Sequence, residues 1–245
     1  MTKKTWNTEK EVEYIKGMQS DNALIVRELK LFFNAQRKRI IRSLEEKQVN
    51  YNINQYEEQQ KLEKRFLRIF PLILGGGWAF ANRLVRGESL RFVLAPFRSR
   101  LDLDTKEFAR LVTQTTFKDL DRIVKRGIEE GLGTQAVANN ITGLYDETYR
   151  GRYLRIAQTE TTKWRNMAAN QRYGDSKVVD KKRWNITGFN TRQWHVSADG
   201  QTVNTNEPFY VDGEELDYPG DPSGSAANII NCRCFVTPVI SGVNL

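Results

Sequence analysis

Apolar residues recur at helical spacing through about the first 174 positions, then fall into short alternating runs. Thr8 can cap a first helix, with Glu9, Glu11 and Glu13 near its positive end and Tyr14, Ile15 and Met18 on its apolar side. Asp21 offers a second cap. Leu24, Ile25, Leu29, Phe32, Phe33, Ile40, Ile41 and Leu44 then form a stripe, interrupted by polar positions around 34–39. A helix over 21–48 would be about 40 Å long. The Asn-rich stretch 48–55 predicts a break, and a helix over 56–70 is predicted to end at Pro71. Helices with so narrow a stripe cannot bury themselves, so residues 1–74 read as a helical arm. Gly75, Gly76 and Gly77 read as a turn or flexible joint. A short helix over 78–85 is stopped by Gly87.

The strongest single helical pattern covers 105–130, where Phe108, Leu111, Val112, Leu120, Ile123, Val124 and Ile128 keep the period and Gly131 stops it. Thr134 reads as the cap of a short helix. Asp146 reads as the cap of a long one reaching Tyr173, with Tyr149, Tyr153, Glu160, Trp164 and Met167 on one face. Beyond Gly174 the pattern changes. Val178-Val179, Arg183 to Ile186, Phe209 to Val211 and Cys234 to Val236 read as strands, separated by Asp-Gly, Pro-Gly and Ser-Gly turns. The fold class is therefore α+β: mainly helical for two thirds of the chain, then a small loop-rich module. The divisions expected are 1–74, 75–174 and 175–245.

Composition narrows the class. Of 245 residues, 39% are hydrophobic and 28% charged, enough to build a core and too polar for a membrane protein. No secretory signal is apparent in the polar, charged start. The net charge of +8 is spread along the chain. Its densest runs include Arg37, Lys38, Arg39 and Arg42, then Lys61 with Lys64, Arg65 and Arg68, and Lys181, Lys182 and Arg183. These are solvated faces or contacts to phosphate or an acidic partner. The chain has two cysteines, Cys232 and Cys234, and one histidine, His195. A bridge over one intervening residue would be strained, which excludes a disulfide scaffold and fits a reducing compartment. No Walker loop, dinucleotide fingerprint or HExxH motif occurs, so the chain is not expected to be an enzyme.

Three blocks occur in a fixed order. Gly127-Ile128-Glu129-Glu130-Gly131-Leu132 precedes Arg152 to Thr161, with its Ala157-Gln158-Thr159-Glu160. Thr191-Arg192-Gln193-Trp194-His195 precedes Asp199-Gly200. Pro219-Gly220-Asp221-Pro222 precedes Asn231-Cys232-Arg233-Cys234. Together they resemble the phage Mu F-like head morphogenesis family, the minor capsid proteins of tailed phages. Where that family has an Asp before its Thr-Arg element, this chain has Gly188-Phe189-Asn190. The resemblance implies a virion component that associates with the portal protein and with major capsid or scaffold protein, lies near packaged DNA, and acts in packaging or ejection. It implies a location in the capsid interior or at the portal, and in host cytoplasm during assembly.

Two constellations stand out in the C-terminal third. Arg233, between the cysteines, needs a planar carboxylate if buried, and Glu160 is the preferred partner for a structural clamp. His195, Cys232 and Cys234 supply three ligands suited to zinc, whose structural sites want four; Asp199, Asp217 or Asp221 could complete them. Of the two, the clamp is the expected staple, and no cofactor is required. Two other function classes remain open: a nucleic-acid-binding protein with a zinc-stabilised module, and a hydrolase using Cys and His.

Overall fold

The computed structural model describes residues 8–47, 53–188 and 191–240. Its contacts divide the chain into two compact units. One comprises Met1–Ala23, Pro71–Val93 and Arg155–Leu245; the other comprises Leu24–Phe70 and Leu94–Leu154. This differs from the expected divisions at 74/75 and 174/175. Residues 8–23 belong with the C-terminal module because Tyr14 stacks on Phe235, with centroids 4.5 Å apart, and Met18, Phe80 and Leu84 complete that cluster.

Several helices are longer than the sequence pattern suggests. Helix α1 runs without a break over Thr8–Lys47. Asp21 does not cap a second helix; it lies within α1 and accepts from Arg165 at 2.6 Å. Helix α2 spans Gln55–Phe66 and is capped by Asn54, whose side chain accepts from the backbone of Tyr56 and Glu57. Helix α3 spans Phe70–Leu84, so Pro71 opens a helix where it was expected to close one. The three glycines lie inside α3 and are not a joint. A Cβ on Gly77 would lie 2.5 Å from the Arg165 carbonyl oxygen, so bare glycine is what lets α3 approach that backbone.

In the second unit, α4 (Arg98–Glu129), α5 (Thr134–Gly143) and the π-helical turn Leu144–Thr148 join α2 and the later part of α1. Phe66, Phe70 and Phe108 form a trio with centroid spacings of 4.8–5.3 Å. Phe33 packs against Tyr145, Tyr149 and Tyr153. The polar interruption at 34–39 is also interior. Gln36 donates to Glu58 and accepts from the Tyr145 hydroxyl, while Arg39 and Lys61 donate to Glu58.

The first unit holds the β-structure. Strands β1 (Lys181–Asn185), β2 (Thr202–Asn204) and β5 (Phe235–Val239) form an antiparallel sheet in the order β2-β1-β5. Trp184 lies opposite Val236, and Lys182 opposite both Val203 and Pro238. Strands β3 (Phe209–Val211) and β4 (Glu214–Leu216) form a hairpin. Its Asp212-Gly213 turn has φ of 53° and 78°, as a primed turn requires. The pair Val178-Val179, expected as a strand, is not one. Two short helices, α7 (Gln193–Ala198) and α8 (Ala226–Ile229), lie between the strands. Helix α6 (Tyr149–Gly174) is buried continuously from Glu160 to Ala169 despite its polar sequence.

Candidate functional site

One polar row explains that burial. Gln158, Thr162 and Asn166, four residues apart, share a face of α6. Gln158 and Thr162 donate to the Cys232 carbonyl at 3.2 and 2.6 Å. Asn166 donates to the carbonyls of Cys234 and Pro219, both at 3.0 Å, and accepts from the Val236 amide at 3.1 Å. A helix that spends its side chains on a neighbouring backbone can be polar and interior together.

The motif blocks serve the same docking. Asn231 adopts φ of 59°, a left-handed conformation that Asn tolerates, and turns the chain into the Cys-x-Cys segment. Its amide donates to Thr159. Arg192 donates to the Ile230 carbonyl. Gly220 has φ of 83°, and a Cβ there would lie 3.1 Å from the Lys163 nitrogen, so the Pro-Gly-Asp-Pro loop packs directly on α6. Asp221 holds the loop by accepting from the amides of Asp217 and Ser223.

The expected Glu160–Arg233 clamp is absent. Glu160 instead accepts from Lys163 at 2.6 Å and from the Trp164 indole at 3.1 Å, both on its own helix. Arg233 is half-buried and has no ion-pair partner among the described residues. Extended backbone does turn Arg233 away from the cysteines, but α6 reaches this segment through amides and hydroxyls, not through a carboxylate.

His195, Cys232 and Cys234 do converge. Their ligand atoms lie within 4.8 Å of one another, and all three residues are buried. His195 Nδ1 stands 3.7 Å from Cys232 Sγ and 3.4 Å from Cys234 Sγ. Its tautomer follows from the neighbours. Asn228 donates through Nδ2 to the Val211 carbonyl, which fixes its amide, and Oδ1 accepts from Trp194 at 2.8 Å. The same Oδ1 stands 3.1 Å from His195 Nε2, so Nε2 carries a proton and Nδ1 is the ring nitrogen that faces both sulfurs. Cys232 Sγ also faces the Cys234 amide at 3.4 Å.

The two thiols titrate as a pair. A hydrogen bond from Cys234 pushes Cys232 down to about 5, against the opposing effect of burial and with help from His195. The same bond, together with burial, holds the Cys234 thiol up, and Trp184 alone among its named neighbours pulls the other way. Two sulfurs and an imidazole nitrogen can share a proton or hold a thiophilic cation. Asp199, Asp217 and Asp221 are not in this cluster, so none is the fourth ligand once expected. Asp199 caps the Ile186 amide instead. Asn190 lies outside the described residues.

The basic runs divide between charges paired within the protein and exposed ones. Arg37 pairs with Asp146 at 2.7 Å and Arg39 with Glu58; Lys38 and Arg42 are exposed. Arg65 pairs with Glu28. Lys182 is buried, donating to Asn170 and to the Asp217 carbonyl, and burial lowers its pKa. The residues that sequence reasoning missed are Gln158, Thr162, Asn166 and Asn228. The signal available for the first three was their spacing on one helix face.

Comparison with known proteins adds an independent line. Residues 118–237 match the family described as Phage Mu protein F like protein. The chain is 27% identical over 141 residues to the uncharacterized protein YqbB of Bacillus subtilis (strain 168), a match covering 56% of this chain and 46% of that one. It is 30% identical over 122 residues to a protein of Enterococcus faecalis (strain ATCC 700802 / V583) named NAD(+)--arginine ADP-ribosyltransferase EFV, covering 48% of this chain and 25% of that one. The chain thus spans less than half of either relative's length. No solved structure matches it. The matched span contains the polar row of α6, the docked Pro-Gly-Asp-Pro loop and the His–Cys cluster, and over it the chain is similar to the phage Mu protein F-like family.

Proposed function

We propose that this protein is a minor head protein: a structural component that associates with the portal and the capsid interior during assembly and acts near packaged DNA. The observation that carries this reading is the family match over 118–237, which takes in most residues of the core of the unit with the sheet. No helix among the described residues is long and apolar enough to cross a membrane, which suits a particle component.

The reading is non-enzymatic. A thiol hydrolase needs a sulfur that substrate can reach. Cys232 and Cys234 are each 2% exposed and His195 1% exposed, which favours a structural role for the trio. The match to the ADP-ribosyltransferase-named protein covers a quarter of that protein, and we read the common stretch as a shared module.

The test is co-purification of the full chain with the portal protein encoded in the same genome, together with mass spectrometry of purified particles. A stable complex and presence in particles are expected. Absence from both would overturn the reading. Contact with DNA should be weak and should fall steeply with salt, because non-specific phosphate contacts release counterions. Salt-insensitive, sequence-specific binding would favour the nucleic-acid-binding class instead.

A further inference from the structure

We infer that His195, Cys232 and Cys234 form a binding site for one divalent, thiophilic cation, zinc by its chemistry, in the interior of the C-terminal module. The spacing is the first argument. Zinc bonds of about 2.3 Å to sulfur and 2.0–2.1 Å to nitrogen, at tetrahedral angles, place a sulfur and a nitrogen about 3.6 Å apart. The two Sγ–Nδ1 distances here are 3.7 and 3.4 Å.

The imidazole is the second argument. Asn228 holds the proton on Nε2, and the Val211 carbonyl fixes the orientation of Asn228. Nδ1 is therefore the ring nitrogen that faces the sulfurs, in place to be the ligand atom. This is the outer-shell arrangement that orients metal-binding histidines. The Cys234 amide, directed at Cys232 Sγ, and the Trp184 indole N–H beside Cys234 are donors suited to thiolates.

Charge is the third. The trio sits in a cluster with Trp184, Ala198, Phe209, Val211 and Val236, where a net charge would be costly. Two thiolates, a neutral imidazole and a divalent cation sum to zero, whereas a monovalent cation would leave one negative charge. Binding releases to solvent the proton that the thiol pair still holds. The three protein ligands leave one tetrahedral position for a small donor such as water.

The test uses the full chain, purified under reducing conditions. Elemental analysis should find roughly one zinc per chain. Replacement by Co²⁺ should give sulfur-to-metal charge-transfer absorption and the strong visible bands of a tetrahedral site, both lost in urea. Cys232→Ala and Cys234→Ala should each abolish these bands. Asn228→Ala should weaken zinc about 10–100-fold in competition with a chromogenic chelator. Less than about a tenth of an equivalent of zinc after reconstitution, with no charge-transfer absorption from the wild-type chain, would overturn the inference whether or not the variants fold. Stoichiometric zinc retained by the folded double variant Cys232→Ala/Cys234→Ala would overturn it as well.

Discussion

The two units bury polar groups in different ways. In the helical unit, buried aromatic rings form clusters, and a compact polar network around Glu58 runs side chain to side chain. In the unit with the sheet, strands are three to five residues long, and α6 supplies side chains to the backbone of the segment that carries the cysteines. Rings tolerate small shifts, because dispersion contacts are many and individually weak. Side-chain-to-backbone bonds do not, since each lost bond leaves a buried group unsatisfied. The second arrangement fixes the backbone on either side of Cys232 and Cys234, which a site built from two sulfurs and a ring nitrogen requires.

Trp78, Trp164, Trp184 and Trp194 fall in the unit that contains the sheet, so their fluorescence reports on that unit, while far-ultraviolet dichroism reports on helix throughout. The largest expected effect is Phe33→Ala, which removes a fully buried ring from the tyrosine cluster and should cost about 3–5 kcal/mol. It should appear in dichroism-monitored urea unfolding. A loss below about 1 kcal/mol would show that the rings are not what holds the helical unit.

Asn166→Ala removes the partner of the Val236 amide and of two carbonyls. With about 1–3 kcal/mol for an unsatisfied buried group, a loss of about 2–4 kcal/mol is expected in the fluorescence transition. Similar stability to wild type would mean water takes over those bonds, and the contrast between the units would fail.

Gly77→Ala should cost about 1–3 kcal/mol by overpacking against the Arg165 backbone. A flexible joint would tolerate alanine, so a neutral result would restore the hinge reading.

The helical unit should also respond to acid through Glu58. Burial alone would raise its pKa, but hydrogen bonds and charge from Arg39 and Lys61 outweigh it and hold the carboxylate below the ordinary 4.5. A group depressed on folding stabilises above its unfolded value, and that contribution fades as pH falls below about 4.5. The stability gap between wild type and Glu58→Gln should therefore narrow in that range. A constant gap from neutral pH down to the acid transition would rule this out.

The smallest effect belongs to Arg233→Ala, expected within about 0.5 kcal/mol because this half-buried guanidinium pairs with no carboxylate among the described residues. A large loss would reinstate an ionic clamp.

Local chemistry was legible in the sequence wherever it is decided within a few residues. The α+β class, the stop at Gly131, the Asp212-Gly213 hairpin turn and the His195, Cys232 and Cys234 trio all follow from periodicity, turn residues or residue type. Pairings were not. Arg233 and Glu160 were matched by charge and motif position, yet charge says nothing about distance between segments more than seventy residues apart. Pro71 gives the same sequence signal at the end of one helix as at the first turn of the next. Gly75 to Gly77 carry the same letters in a joint and in a close helix approach. The sequence pattern gives the helix over 160–172 one apolar face, and only the tertiary structure buries its polar side as well, by offering the carbonyls of Pro219, Cys232 and Cys234 to Thr162 and Asn166. The sequence by itself determined which groups must find hydrogen-bond or ligand partners; the fold decided which partners they find, because those bonds form across segments that only packing brings within 3 Å.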